Sequence, residues 1–167
     1  WMAGDVRMMD HTARAALPES HPDHYDMHSR QAVAAFALDC EPTKTALEAA
    51  GHKGKRVGAK NVNFGVLYGR GARAIALQCR EENVPLAEYQ AQSLIDAFFA
   101  EYPATAEFLR ECQHCVDEPG WLCTYAGRRR RFFASRDRMV HSEQERQAQN
   151  FPIQGGVADC MSQALYN

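Results

Sequence analysis

The sequence predicts a mainly α-helical fold with one small β-hairpin, and three observations lead there. From residue 26 to 116, apolar side chains recur at helical spacing between breaks at Gly69-Arg70-Gly71, Asn83-Val84-Pro85 and Glu101-Tyr102-Pro103. Asp117-Glu118-Pro119-Gly120 is then a strong turn signal, followed by two short strand-like runs around Ala126-Gly127. The chain of 167 residues, 46% hydrophobic and 24% charged, has the size and composition of an ordinary globular domain, without repeats or a linker.

In chain order, Trp1–Ala16 reads as a helix ending before Pro18, and Leu17–Tyr25 as a polar loop. Asp26 is suited to cap a second helix that runs to about Leu38. A short helix and turn occupy Glu41–Gly51. The stretch Lys53–Gly69 follows as the organising helix of the chain. Arg56, Lys60, Phe64 and Tyr68 recur there at i, i+4, which stacks them on one face. Ala59, Val62 and Val66 fall on another face, as docking on a core requires. Helices are expected over Ala72–Glu82, Leu86–Ala100 and Ala104–Val116. The strands are expected at Trp121–Tyr125 and Arg131–Phe133, with Arg128 to Arg131 at the hairpin tip. A helix through Glu145–Asn150 should stop at Pro152, leaving Gln154 in a turn before a last helix, Val157–Leu165.

The net charge of −2 conceals a division. Residues 44–60 carry five Lys/Arg against Glu48, and residues 123–150 carry seven Arg against three acids. Residues 81–118 hold nine acids against Arg110 alone, which suits a solvent-facing back. Such basic stretches suit phosphates even in a chain that is not basic overall. No apolar run approaches a membrane span, and no signal-peptide pattern opens the chain. Cys112 and Cys115, with Cys123 downstream, resemble half of a zinc site, but they lie in a helical pattern with no second C-x-x-C. Reduced, partly buried thiols are the expectation there.

The organising helix shows two cations followed by two rings. Cations suit phosphates and rings suit base faces, so this order describes a receptor for a nucleotide with a charged tail. Arg56-x-x-x-Lys60-x-x-x-Phe64-Gly-x-x-Tyr68-Gly69 resembles the fingers helix of family A DNA polymerases, the polymerase I type. Three further stretches are similar to the same family: Asp26-x-His28, Thr124-x-x-Gly127-Arg128-Arg129, and Glu145-Arg146-x-x-x-Asn150-x-Pro152-x-Gln154-Gly155. Gly156 departs from it, standing where the family often has Thr.

The resemblance implies the fingers subdomain over about 26–116 and part of the palm of a right-hand polymerase over about 117–167. It implies binding of the incoming dNTP by His28, Arg56, Lys60, Phe64 and Tyr68, with Lys60 also able to protonate the departing pyrophosphate. Arg128, Arg129, Arg146, Asn150 and Gln154 would contact primer-template DNA. For the last three the physical logic is minor-groove reading, where every correct pair offers acceptors at nearly invariant positions. The family also implies Mg²⁺ in the intact enzyme, held by palm carboxylates. Its Asp-Tyr-Ser-x-x-Glu-like and His-Asp-Glu-like motifs do not occur here, so no residue of this chain is assigned to metal. With Trp1 first, the chain is expected to be a piece of a longer polymerase, inactive alone. The intact protein is expected to be monomeric, off the membrane, in the cytoplasm of a bacterial or phage-infected cell. Two alternatives stay open: a non-catalytic DNA-binding module or relic, and a relative of single-subunit RNA polymerases. The latter typically carry Met-Thr where this chain has Asn63-Phe64.

Overall fold

The computed structural model describes residues 5–166, so the first four residues of the expected Trp1–Ala16 helix lie outside the described part. The described residues form eight helices and one two-stranded antiparallel sheet, so the mainly helical class with one hairpin is as the sequence predicts, with one helix fewer than expected. The chain divides into two compact units, residues 1–66 with 70–106, and residues 67–69 with 107–167.

The first unit contains α1 (Val6–Ala15), α2 (Met27–Ala35), α3 (Lys44–Ala49), most of α4 (Lys53–Leu67), α5 (Ala72–Glu81) and α6 (Glu88–Glu101). Side-chain oxygens start several of these helices. Asp5 accepts the Met8 N–H at 3.0 Å, Asp26 accepts those of His28 and Ser29, and Thr43 accepts that of Ala46. Each such cap satisfies a donor that the helix leaves free. α6 packs against α2 and α5. The core between them is built from Ala32, Val62, Ile75, Leu94 and Phe98, each at most 2% exposed. α2 stops three residues earlier than predicted. Ala37 takes a left-handed conformation, and the Leu38 N–H reaches back to the Val33 carbonyl, which closes the helix end.

The second unit holds the end of α7 (Pro103–His114), the strands β1 (Trp121–Cys123) and β2 (Arg129–Arg131), and α8 (Arg138–Tyr166). Val116, Phe132 and Ala148 form its core, with Leu122 packed on them. Two expectations are corrected here. The return strand lies two residues earlier than expected, pairing Trp121 with Arg131 and Cys123 with Arg129. The turn closes through the Gly127 N–H on the Thr124 carbonyl and the Thr124 N–H on the Arg128 carbonyl, so three arginines form the strand itself instead of its tip. Second, Pro152 does not end its helix. α8 runs unbroken through it, and Gln154 is helical. The reason is burial: Ala148, Pro152, Gly156 and Asp159 form one buried stripe across the proline. That packing offsets the missing N–H bond, which costs about 3 kcal/mol.

Candidate functional site

In α4 the predicted division into faces is present. Ala59, Val62 and Val66 are at most 4% exposed, whereas Phe64 is 49% exposed and Lys60 stands in solvent. The two glycines of the motif have different steric causes. At Gly65 a Cβ would lie 2.8 Å from two carbons of Ile75, so only hydrogen lets α5 approach this closely. Gly69 has φ +69° and ends the helix, with the Arg70 N–H bonded to the Gly65 carbonyl at 2.8 Å.

Two of the expected nucleotide residues gather around the exposed ring of a third, Phe64. The Lys60 ammonium is 5.8 Å from the Phe64 centroid, and the His28 ring centre lies 6.0 Å from it on the facing start of α2. The Asn63 amide donates to His28 Nδ1 at 2.9 Å. This leaves the proton of a neutral imidazole on Nε2. Burial, foremost, lowers the His28 pKa; the cations Arg56 and Lys60 add to that, and Asp26 opposes it. The cluster can therefore offer a cation, a neutral N–H donor and an apolar ring face together.

Arg56 sits differently from the expectation of an open cation. Its side chain is only 19% exposed. Nη2 and Nε donate to Asp26 Oδ2 at 2.9 and 3.1 Å, and Nε also donates to the Ser29 hydroxyl at 2.9 Å. Tyr68 follows α4, is 42% exposed and belongs to the second unit, where the Gln154 amide donates to its hydroxyl at 3.3 Å. The sequence set these two residues in separate motifs.

The expected DNA residues of the second unit fall into two groups. Arg128 is tied down: its Nε donates to the buried carboxylate of Asp159 at 2.6 Å, and that carboxylate also accepts the Thr124 hydroxyl. These bonds, the Thr124 contact first, lower the Asp159 pKa. Arg129 lies over the Trp121 ring at 4.3 Å and remains exposed. Arg146 pairs with Glu143 one turn earlier in α8, and the Asn150 amide donates to the Arg146 carbonyl at 3.0 Å. Both face solvent at least in part, and a surface pair of this kind is weak enough to exchange.

Among the described residues, no three or more His, Cys, Asp or Glu side chains gather where they could hold a metal ion. Cys112 is buried in α7, and burial pushes its thiol up to about 12. The sequence reading missed Asp26 as a partner of Arg56, Asn63 as the orienter of His28, and Asp159 as the anchor of Arg128. Only Asp26 carried a signal, and that signal pointed to a cap.

Comparison with known proteins meets this geometry. The sequence profile described as DNA polymerase family A matches residues 4–167. DNA polymerase I of Deinococcus radiodurans is 33% identical over 96% of this chain and 16% of its own length. The DNA polymerase of Bacillus phage SP01 is 28% identical over 84% of this chain and 14% of its own. The chain thus spans less than a fifth of the length of these relatives. Among solved structures, the POL domain of Pol1 from M. smegmatis, in complex with DNA primer-template and dNTP, superposes with a TM-score of 0.64 at 28% identity. That match covers 94% of this chain and 26% of the other.

Proposed function

Because the chain belongs to DNA polymerase family A, we propose that it supplies the fingers (about 26–116) and adjoining palm (about 117–167) of a DNA-directed DNA polymerase. The observation that carries this reading is the convergence of Lys60 and His28 on the exposed face of Phe64. The reaction is attack of a primer 3′-hydroxyl on the α-phosphorus of a dNTP, with release of pyrophosphate. Lys60 binds the triphosphate by charge and donates a proton to the departing pyrophosphate. Neutral His28 donates Nε2–H to a phosphate oxygen, which adds no further positive charge to a site that already holds two cations. Phe64 packs against the incoming sugar and base. Arg56 adds positive potential behind Lys60. Tyr68, held by Gln154 in this structure, occupies the templating position until the site closes, and closing sites of this type gain selectivity.

Primer-template DNA is the proposed partner of the second unit. Arg129 and Arg146 face the phosphates or the minor groove, with Asn150 and Gln154 as amide donors. Arg128 contributes charge from its anchored position on Asp159. Mg²⁺ is the proposed cofactor of the intact enzyme, supplying charge stabilisation to the attacking and leaving oxygens. A monomer working in the cytoplasm of a bacterial or phage-infected cell completes the reading.

The test is Lys60→Ala in the full-length polypeptide. Loss of a general acid typically lowers turnover roughly 10²–10⁴-fold, while primer-template affinity should stay near its original value. Primer extension and DNA-binding titrations measure the two separately. Weakened DNA binding with normal turnover would remove Lys60 from the chemistry.

A further inference from the structure

We propose that Asp26 is a positioning residue for the nucleotide site, acting through Arg56; this rests on α4 being the triphosphate-binding helix. The carboxylate, with its side chain 8% exposed, is engaged on both oxygens. Oδ1 accepts the backbone N–H groups of His28 and Ser29, each at 3.1 Å. Oδ2 accepts the Ser29 hydroxyl at 2.6 Å and the Arg56 fork at 2.9 and 3.1 Å. One group therefore fixes the first turn of α2, which carries His28, and the guanidinium one turn before Lys60 on α4.

The consequence for Arg56 is directional. Its Nε–Nη2 edge is held by Asp26 and Ser29. Among the described residues Nη1 makes no hydrogen bond, so Nη1 is the edge left for a phosphate oxygen. Pulling the guanidinium away would strand a nearly buried carboxylate without its cation, which is strongly unfavourable. An incoming triphosphate therefore meets Arg56 in the orientation that Asp26 sets and does not displace Asp26. A lysine at 56 could not reproduce this, because an ammonium has no fork to hold with one edge and offer with the other. The sequence shows Asp26 only as a helix cap, since its partner lies 30 residues away.

The experiment is a double-mutant cycle in the full-length polypeptide with Asp26→Asn, Arg56→Ala and the pair. Asn caps a helix about as well as Asp, so the change removes charge and leaves the cap. The readouts are equilibrium binding of a fluorescent mant-dATP, the KM for dATP and kcat in primer extension, and the melting temperature. Asp26→Asn is expected to weaken nucleotide binding and raise KM on the order of tenfold, with kcat nearly unchanged; interaction energies between contacting residues support changes of this size. In the Arg56→Ala background the same substitution should change affinity by less than about twofold, because the two act as one unit. Equal losses in both backgrounds, or native affinity in a folded Asp26→Asn protein, overturn the proposal. Should Asp26→Asn fail to fold, Arg56→Lys decides: binding about tenfold weaker supports the held fork, and native affinity removes it. If the unsubstituted protein does not bind mant-dATP, the polymerase reading falls as well. If it does bind and the cycle is additive, only the role of Asp26 falls.

Discussion

His28 shows how neighbours choose a protonation state. The Asn63 amide occupies Nδ1, the ring is half-buried, and Arg56 and Lys60 disfavour a third positive charge. Its pKa therefore lies below the ordinary 6.5. The folded chain resists a proton that the unfolded chain accepts near pH 6.5. This part of the stability is complete above pH 6.5 and declines as the pH falls below it. Asp26 has the opposite charge change but the same direction with pH. Burial raises its pKa, but the bonds from Ser29 and Arg56 outweigh it, so its contribution holds above 3.8 and is lost as the pH falls through the lower folded value. A ¹⁵N NMR titration of the imidazoles should find His28 as the Nε2–H tautomer with a midpoint below 6.5. A midpoint at or above 6.5 would contradict the burial and hydrogen bonding seen at this residue.

At the scale of one element, α4 carries two interior glycines beyond its first turn, Gly58 and Gly65, whose surroundings differ. At Gly58 a Cβ would meet Val84 and Leu86 at 3.6 and 3.7 Å, ordinary contact distances. Gly58→Ala should then raise stability by about 0.5–1 kcal/mol through helix propensity. At Gly65 the same Cβ would lie 2.8 Å from buried Ile75. Gly65→Ala should destabilise by about 1–3 kcal/mol, since overpacking exceeds the propensity gain. Urea melts of the two variants should move in opposite directions; a common direction would mean that propensity or backbone relaxation dominates. The helix itself was readable from its spacing. The reason for the glycine after Phe64 was not, because the pattern says nothing about how near α5 comes. In α8 the same limit produced an error: a proline read locally ends a helix, and the buried stripe that carries the helix through it depends on its neighbours.

At the scale of the whole molecule, charge is separated while the net value stays at −2. Arg128, the three arginines of β2, and Arg138 and Arg146 of α8 are exposed in the second unit, and they do not all serve the same end. Arg128 is bonded to Asp159, whereas Arg129 stands over Trp121 with its guanidinium still accessible. Arg129→Ala should therefore reduce the salt dependence of primer-template binding, the slope of log K against log[salt], by about 0.9 for one lost phosphate contact. Arg128→Ala should lower the melting temperature more than it changes that slope. If the two variants behave alike in both measurements, the anchoring of Arg128 has no energetic weight.

The sequence by itself determined the helical class, the hairpin, the family and the face of α4 that carries Lys60 and Phe64. All of these depend on periodicity, turn chemistry or motifs within a few residues of one another, and the backbone converts such spacing directly into direction. Only the tertiary structure decided that Arg56 is held by Asp26, that Asn63 sets the tautomer of His28, and that Arg128 belongs to Asp159. Those pairs are 30, 35 and 31 residues apart. Their partners are chosen by packing, which brings buried polar groups together because leaving any of them unpaired is unfavourable.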